Sequence, residues 1–420
     1  SKPSYEAHYW TAWKPIEALK AERCFEDPSY HYLQWRAILH TDKTRQTPKL
    51  ISVSISGALE LDNTNWVNAV RVEEWRNEKI IRGSYPFAHQ RFEESRLKIL
   101  RDRYELDWVV KPAKTEFEKY VRLRDWARQQ WEDGWKKAVN WGGRKGHIDY
   151  CPPWDSLVIL ELAKRKLSLG MCTHYSTVFV HFCTSLGLIA RTVIKRSHCV
   201  AEVWSNEFKK WILMDVGGDT DDSRKGTFHY ERDGVPLNAL ELHKAWFRKK
   251  FDDIRVFPDT VMREPNPAFK SVMERLKLFD RFCVTLRNDE LTSLEPGEPE
   301  HGVMSYHYDG YLWWMDEEKP HLWFSLQTDR EADLYWTLNQ TEIHLNCLGE
   351  EAALNVELEN SMPNFAKYLA KFDEDEWVEK SCSFKWKLHE GLNILRVKAV
   401  NKFGIEGIES LVKLDYDTYL

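Results

Sequence analysis

Three residues in the middle of the chain have the types and the order that nucleophilic catalysis by cysteine requires. Cys172 follows Gly170 at the expected start of an amphipathic helix, where free backbone N–H groups and the helix dipole favour a thiolate over a thiol. His198 opens one predicted strand, and Asp215 lies near the end of the next. One imidazole can serve as base and acid, while a carboxylate on its other nitrogen fixes the tautomer. The three residues therefore fit the roles of nucleophile, base and orienting group.

The elements that must position these residues follow from hydrophobic periodicity. A helix is predicted from Thr115, and a second one begins with Asp155 or Ser156 as its cap. A third helix should run from Cys172 to about residue 187. The three strands predicted after it are ARTVIK (190–195), HCVAEVW (198–204) and KWILMDV (210–216).

The last two strands form a predicted hairpin whose register decides whether the site can exist. If Trp204 pairs with Trp211, His198 faces position 217 and Asp215 is its diagonal neighbour on the same face. A slip of one residue would put the two side chains on opposite faces. With this register, the sequence predicts that the imidazole and the carboxylate lie within hydrogen-bond reach.

The motifs around these residues resemble the transglutaminase-like superfamily of papain-fold cysteine enzymes. The resemblance rests on a Gly-x-Cys helix start, LGLIAR (186–191), HCVAEVW (198–204) and the Asp after a Trp-containing strand, and it covers about residues 115 to 225. It implies an α+β fold in which the helix carrying Cys172 packs on an antiparallel sheet. The superfamily includes protein-crosslinking transglutaminases, bacterial proteases and peptide:N-glycanases.

Two features depart from the N-glycanase pattern. Thr173-His174-Tyr175 follows the cysteine in place of the common Gly-Glu, and the upstream cysteine pairs that bind zinc are missing. Neither departure touches Cys172, His198 or Asp215, but both leave the substrate open.

Several further residues are candidates for the substrate site or its surroundings. Trp154 or its neighbours could supply a second oxyanion donor, beside the helix amide at Cys172. His174 is close to the nucleophile in sequence, and Glu202 shares the face of His198 by alternation. The candidates for the substrate site or its surroundings are Trp154, Asp155, His174, Glu202 and Trp204.

The chain is rich in aromatic residues, with 20 Trp, 17 Tyr and 19 Phe. One cluster, SYHYDGYLWW (305–314), could stack on sugar rings, although packing between domains explains it equally well and is favoured. Its candidate glycan-stacking residues are Tyr306, Tyr308, Tyr311, Trp313 and Trp314.

The length of 420 residues is predicted to divide into a catalytic core flanked by β-structure. Strand-like alternation marks both ends, and the C-terminal part is typical of an immunoglobulin-like sandwich. The predicted divisions are β-sandwich-like strands (1–60), a connecting segment (61–112), the transglutaminase-like catalytic core (113–260), a connecting aromatic segment (261–315) and the immunoglobulin-like sandwich (316–420).

Composition argues against several classes of protein. With 60 basic and 66 acidic residues the net charge is −6, which disfavours a nucleic-acid-binding protein. The most apolar stretch, residues 178–194, contains His181 and Arg191, so no transmembrane helix is expected. The eight cysteines lack the CxxC spacing of structural zinc sites, and Asp219, Asp221 and Asp222 indicate a solvated loop rather than a cation site. No metal and no cofactor is predicted.

The leading hypothesis is a cysteine hydrolase or acyltransferase that cleaves an amide bond through a thioester on Cys172. Its substrate would be a peptide, a cell-wall peptide or a glycopeptide, and hydrolysis is favoured by analogy with bacterial hydrolases that carry β-sandwich flanks. The same flanks favour an extracellular or periplasmic location and leave a cytoplasmic one open. Two alternatives stand beside it: a carbohydrate-active enzyme using Asp155, Glu202 and Asp219 in an aromatic cleft that holds a polysaccharide, and a non-catalytic module that binds glycan or protein.

Overall fold

The structure is a computed structural model that describes residues 65–131, 154–166, 170–196, 198–217, 226–263, 271–291, 310–315, 326–349 and 351–417. All of these residues belong to the unit formed by residues 62–420. The strands predicted within residues 1–60 and the acidic loop with Asp219, Asp221 and Asp222 lie outside the described residues.

The described residues form nine α-helices. Their bounds are α1 (Ser95–Arg103), α2 (Leu106–Val110), α3 (Glu116–Arg128), α4 (Ser156–Lys164), α5 (Cys172–Ser185), α6 (Ala239–Arg248), α7 (Thr260–Arg263), α8 (Val272–Leu276) and α9 (Glu331–Leu334). Two short 3-10 helices are formed by Asn65–Ala69 and Lys277–Phe279.

Seventeen strands are found in the same part of the chain. They are β1 (Val70–Arg76), β2 (Ala190–Lys195), β3 (His198–Ser205), β4 (Lys210–Met214), β5 (His229–Arg232), β6 (Val235–Pro236), β7 (Ile254–Phe257), β8 (Phe282–Thr285), β9 (Tyr311–Trp314), β10 (Leu326–Thr328), β11 (Thr341–Cys347), β12 (Ala353–Asn360), β13 (Phe365–Phe372), β14 (Val378–Lys380), β15 (Ser383–Lys387), β16 (Gly391–Asn401) and β17 (Ser410–Tyr416).

Polar caps fix the starts of the main helices. Thr115 accepts a hydrogen bond from the N–H of Glu118, so α3 begins where the sequence predicts a helix. Asp155 accepts from the N–H groups of Leu157 and Val158, so α4 takes the first of its two predicted caps. Helix α5 stops before Gly187, which has a φ of +75° and lies against the ring of Phe403, so that a side chain there would collide.

A six-stranded sheet, the core sheet, carries the site. Its order is β10-β9-β8-β2-β3-β4, antiparallel except for the β10–β9 pair. Side chains alternate across it. On one face Ala201 and Val203 pack with α1 to α5 in a large apolar core, while Val200 packs on the other face with β5, β7 and α6. The central strands are thus buried on both sides, which leaves their ends for polar chemistry.

Two further sheets enclose one apolar core near the C-terminus. Their orders are β1-β17-β16-β13-β14 and β11-β12-β15, and the shared core includes Val356, Trp386, Val397 and Val412. Strand β1 pairs with β17 and so belongs to the first of these two sheets, although it lies in the segment predicted as a connection (61–112). The predicted boundary at residues 315 and 316 falls inside the core sheet, between β9 and β10.

The architecture is therefore α+β and rich in β-sheet, as predicted. The extra strands β8, β9 and β10 extend the core sheet beyond the hairpins visible in the sequence. None of the helices in the described residues is long and apolar enough to cross a membrane.

Candidate active site

Cys172 is the first residue of α5, and its side chain is partly buried. The residue before it, Met171, caps the helix with extended backbone, and its N–H donates to Nδ1 of His174 at 3.1 Å. At the N-terminus of a 14-residue helix the unpaired N–H groups and the dipole favour an anion. The helix start therefore stabilises a thiolate at Cys172.

His198 and Asp215 meet at the end of the β3–β4 hairpin. Trp204 pairs with Trp211, which is the register predicted from the sequence. Nε2 of His198 lies 3.0 and 3.1 Å from the two carboxylate oxygens of Asp215. Asp215 is fully buried, while the His198 side chain keeps 18% of its surface exposed. The carboxylate thus holds one ring nitrogen and leaves Nδ1 for the thiol side.

The pKa values of the nucleophile and the imidazole move apart in the direction that an ion pair requires. The neighbouring thiol of Cys199 and the imidazole of His198 hold the pKa of Cys172 well below its usual range, although burial opposes them. Burial alone would lower the pKa of His198, but Asp215 and Cys172 together raise it to about 9. Both shifts favour the thiolate–imidazolium pair over the neutral thiol and imidazole.

Lys195 is a buried cation that the sequence analysis missed. It lies directly opposite His198 across the β2–β3 hairpin, and its Nζ is 3.2 Å from Oδ2 of Asp215. Burial lowers the pKa of Lys195, while the negative charge of Asp215 opposes that shift. The cross-strand position of a lysine three residues before the histidine is the signal that could have revealed it.

Gly217 was also missed as a site residue, although the predicted register places it opposite His198. A Cβ at this position would lie 2.9 Å from Cβ of Cys172 and 3.0 Å from Cε1 of His198. Both catalytic candidates therefore border the same small space, and only a glycine leaves it open.

Asp155 is not part of this site. Besides capping α4, its carboxylate pairs with Arg96 at 2.6 Å, and both side chains are buried. Its oxygens are committed to the helix start and to one guanidinium, so the carboxylate role considered for sugar cleavage is corrected to a structural one.

Glu202 is buried and paired, neither lining the site nor exposed. One carboxylate oxygen accepts from Arg191 at 2.6 Å, and the other accepts from the N–H of Ala239 and from the hydroxyl of Tyr335. Trp204 is a core residue packed edge-on against Trp211. Both residues lie farther along β3 than His198, and their predicted place at the site is corrected.

His174 and Trp154 lie beside the start of α5. The two rings stack with centroids 5.9 Å apart, and burial lowers the pKa of His174 to about 4. His174 is therefore neutral at physiological pH and caps the helix through Nδ1. Gly170 allows this approach, because a Cβ there would lie 2.5 Å from Cβ of His174.

The described residues of the predicted aromatic platform are buried or partly buried. Trp313 and Trp314 are almost fully buried on opposite faces of β9, and Tyr311 packs partly buried beside Trp313. Tyr306 and Tyr308 lie outside the described residues. The described part of this cluster is packing, which is the explanation the sequence favoured.

Among the described residues one group has ligand atoms close enough for a metal: Glu342, His344 and Glu359. Two of its carboxylates already accept from protein donors, since Ile80 N–H donates to Glu342 and Arg82 donates to Glu359. The group lies in the C-terminal unit on β11 and β12, apart from Cys172.

With a cysteine at a helix start and a His–Asp pair on the adjoining antiparallel sheet, the site has the parts of a thiol enzyme. Residues 107–216 match the family model of the transglutaminase-like superfamily, which confirms the resemblance predicted from the motifs. The chain thus contains a transglutaminase-like domain, and cysteine-based amide-bond chemistry follows at that general level. A search of curated proteins found no match.

Proposed function

We propose that the protein is a cysteine hydrolase or acyltransferase that cleaves an amide bond through a thioester on Cys172. The observation that carries the proposal is the position of His198. Its Nε2 is held by Asp215 at 3.0 Å, and its ring borders the same small space as the side chain of Cys172. Nucleophilic catalysis by a thiol requires this order of neighbours: a cysteine beside an imidazole, and the imidazole beside a carboxylate.

The first half of the reaction transfers the acyl group to sulfur. The thiolate of Cys172 attacks the amide carbonyl carbon, and the backbone N–H at the start of α5 stabilises the oxyanion. The imidazolium of His198 gives its proton to the leaving nitrogen, the C–N bond breaks, and the amine departs. Cys172 is then a thioester and His198 is neutral.

The second half returns the enzyme to its starting state. Neutral His198 takes a proton from water as the oxygen attacks the thioester carbonyl, and the C–S bond breaks. The product is a carboxylic acid, and the thiolate and imidazolium are regenerated. If an amine replaces water the same steps give acyl transfer, so the acceptor and not the triad decides between the two outcomes.

The substrate class we propose is a peptide, a cell-wall peptide or a glycopeptide amide, with water as the favoured acceptor. The buried carboxylates of Asp155 and Glu202 form ion pairs with Arg96 and Arg191. These contacts give no support to the alternative in which the two acids cleave a sugar. We also propose that the unit of two sheets at the C-terminus, with the shared core around Val356 and Val397, is an immunoglobulin-like module.

Selective alkylation and turnover test the proposal together. Iodoacetamide at pH 6 to 7 should label Cys172 ahead of the exposed Cys347 and Cys382, because only Cys172 lies at a helix start beside an imidazolium. Cys172→Ala should abolish amide cleavage across a panel of fluorogenic peptides, muropeptides and glycopeptides. The matched control Cys382→Ser should retain it. An inert Cys172, together with undiminished cleavage by the alanine variant, would overturn the proposal.

A further inference from the structure

Three cysteines gather at the start of α5, and the mechanism above uses only one. Cys199 pairs with Ile194 across β3 and β2, and Ile194 pairs with Cys283 across β2 and β8. Directly paired residues point to the same face of a sheet. Cys199, Ile194 and Cys283 therefore form a row on one face of the core sheet, and Cys172 packs against this row.

Cys199 directly follows His198 in the chain, and it belongs to the buried cluster against which Cys172 packs. Its influence is the largest of those that lower the pKa of Cys172. The contact with Cys172 is also the largest influence that raises the pKa of Cys199, followed by burial. These opposite shifts favour a thiolate on Cys172 and a protonated thiol on Cys199. The pair is a reactive thiolate in contact with a protonated thiol.

We propose that Cys199 is a resolving cysteine, which traps the oxidised nucleophile as a Cys172–Cys199 disulfide and so switches the site off reversibly when peroxide is present. The inference rests on the proposed function only in taking Cys172 to be the reactive thiolate. Cys172 is partly exposed, so a molecule as small as hydrogen peroxide can reach it. Cys199 is buried beneath it, so the second thiol is protected until the first has reacted.

The chemistry balances in two steps. The thiolate of Cys172 attacks one oxygen of hydrogen peroxide and the O–O bond breaks. The sulfur becomes a sulfenic acid, oxidised by two electrons, and the hydroxide takes up a proton to become water. The sulfur of Cys199 then attacks the sulfenic sulfur, the S–O bond breaks, and the leaving hydroxide takes the Cys199 proton as water. A dithiol reverses the process by thiol–disulfide exchange.

The geometry selects Cys199 over Cys283 as the partner. A disulfide needs an S–S distance of about 2.0 Å and Cα atoms about 5.5 to 6 Å apart. Cys199 is a candidate because Cys172 packs against its cluster and because it adjoins His198, which borders the same small space as Cys172. Cys283 is separated from Cys199 by a whole strand, since Ile194 lies between them. It is also fully buried, and burial raises the pKa of its thiol.

Peptide mapping after peroxide treatment tests the inference without any substrate. The full chain, Cys199→Ala and the matched control Cys283→Ala are each exposed to hydrogen peroxide. They are then digested without reductant and analysed by mass spectrometry, before and after dithiothreitol. The wild type and Cys283→Ala should yield a linked Cys172–Cys199 peptide and lose iodoacetamide labelling of Cys172, which dithiothreitol restores. In Cys199→Ala, Cys172 should proceed to sulfinic acid, and dithiothreitol should restore no labelling.

Two results would overturn the inference. The first is sulfinic acid on Cys172 in the wild type at the same rate as in Cys199→Ala. The second is a disulfide from Cys172 to any cysteine other than Cys199. A Cys172 that resists both peroxide and iodoacetamide would instead contradict the thiolate itself, and with it the proposed function. The peptide masses separate these failures because they do not depend on turnover.

Discussion

The carboxylate of Asp215 contacts two basic groups, His198 and Lys195, so Asp215→Asn removes a charge while almost preserving shape. Lys195 is a buried donor without acceptor capacity, and it will keep the single carbonyl oxygen of the new amide. The amide NH₂ then faces Nε2 of His198 and donates to it. The ring proton is forced onto Nδ1, which is the nitrogen that faces Cys172.

The expected loss can be estimated from the wild-type contacts. The pKa of His198 is raised from 6.5 to about 9. At about 1.4 kcal/mol per unit, this preference for imidazolium corresponds to about 3 kcal/mol, shared between Asp215 and Cys172. Without the carboxylate the pKa of His198 falls and that of Cys172 rises, so the pH range of the ion pair narrows from both ends. The wrong tautomer adds to this loss, and we expect kcat to fall about 10³- to 10⁴-fold.

The assay is the rate of Cys172 alkylation by iodoacetamide between pH 4 and 10, with turnover measured in parallel. On the acidic side of this profile the alkylation rate of Cys172 rises with pH as the thiolate forms. The midpoint of that rise should move up by one to two pH units in Asp215→Asn, since each unit corresponds to about 1.4 kcal/mol of lost preference for the thiolate. The matched control is Glu202→Gln. It makes the same change in an equally buried acid of β3, which has its own cation, Arg191, on the neighbouring strand β2.

Glu202→Gln should lower stability but leave the alkylation profile of Cys172 in place. A wild-type midpoint in Asp215→Asn would refute the role given to the His198–Asp215 contact. An equal displacement in Glu202→Gln would refute it as well, because the effect would then belong to any loss of buried charge in the sheet.

Three further changes test the surroundings of the site. Lys195→Met should raise the pKa of His198 above its value of about 9 by about one unit, or about 1.4 kcal/mol, because the ammonium of Lys195 no longer competes for Asp215. NMR titration of the imidazole measures this pKa. An unchanged or lower pKa would contradict the prediction. Gly217→Ala should slow alkylation at least about tenfold, since the new Cβ would lie 2.9 Å from Cβ of Cys172; a wild-type rate in a folded variant would show that the space is not confined. Asp155→Ala should lower the free energy of unfolding by about 3 to 5 kcal/mol, because it removes the cap of α4 and leaves Arg96 buried without this carboxylate. Denaturant unfolding measures this loss of stability. The folded variant should keep the wild-type pH profile of Cys172 alkylation.

The parts of the site that the sequence predicts well are those set by short-range pattern. The hairpin of β3 and β4 has a short loop and a continuous apolar face, which fixes Trp204 opposite Trp211. That register alone brings His198 to Asp215. The start of α5 is equally local, since Gly170 permits the close approach of His174 to the cap at Met171.

The parts that the sequence does not predict depend on contacts between distant segments. Glu202 looks like a site residue by alternation, and only the arrival of Tyr335 and the start of α6 shows that its oxygens are already used. The pairing of strand β1 is not visible in the neighbouring sequence, because its partner β17 lies more than 300 residues later in the chain. The burial of Trp313 likewise follows from the pairing of β9 with β8, which no local period indicates.

The missed lysine explains how a buried site can tolerate the whole proposed cycle. Before acylation the thiolate of Cys172, the imidazolium of His198 and the ammonium of Lys195 surround the carboxylate of Asp215, and the buried guanidinium of Arg275 acts on Asp215 and Lys195 as a further positive charge. Forming the thioester removes the negative sulfur, and the proton leaves with the amine, so Lys195 is then the ion-paired side chain that Asp215 keeps within 3.2 Å. Without Lys195, the fully buried carboxylate of the acyl-enzyme would lose this ammonium, which is costly in a medium of low polarity. Lys195 therefore matters most in the acyl-enzyme, and its loss should slow deacylation more than acylation.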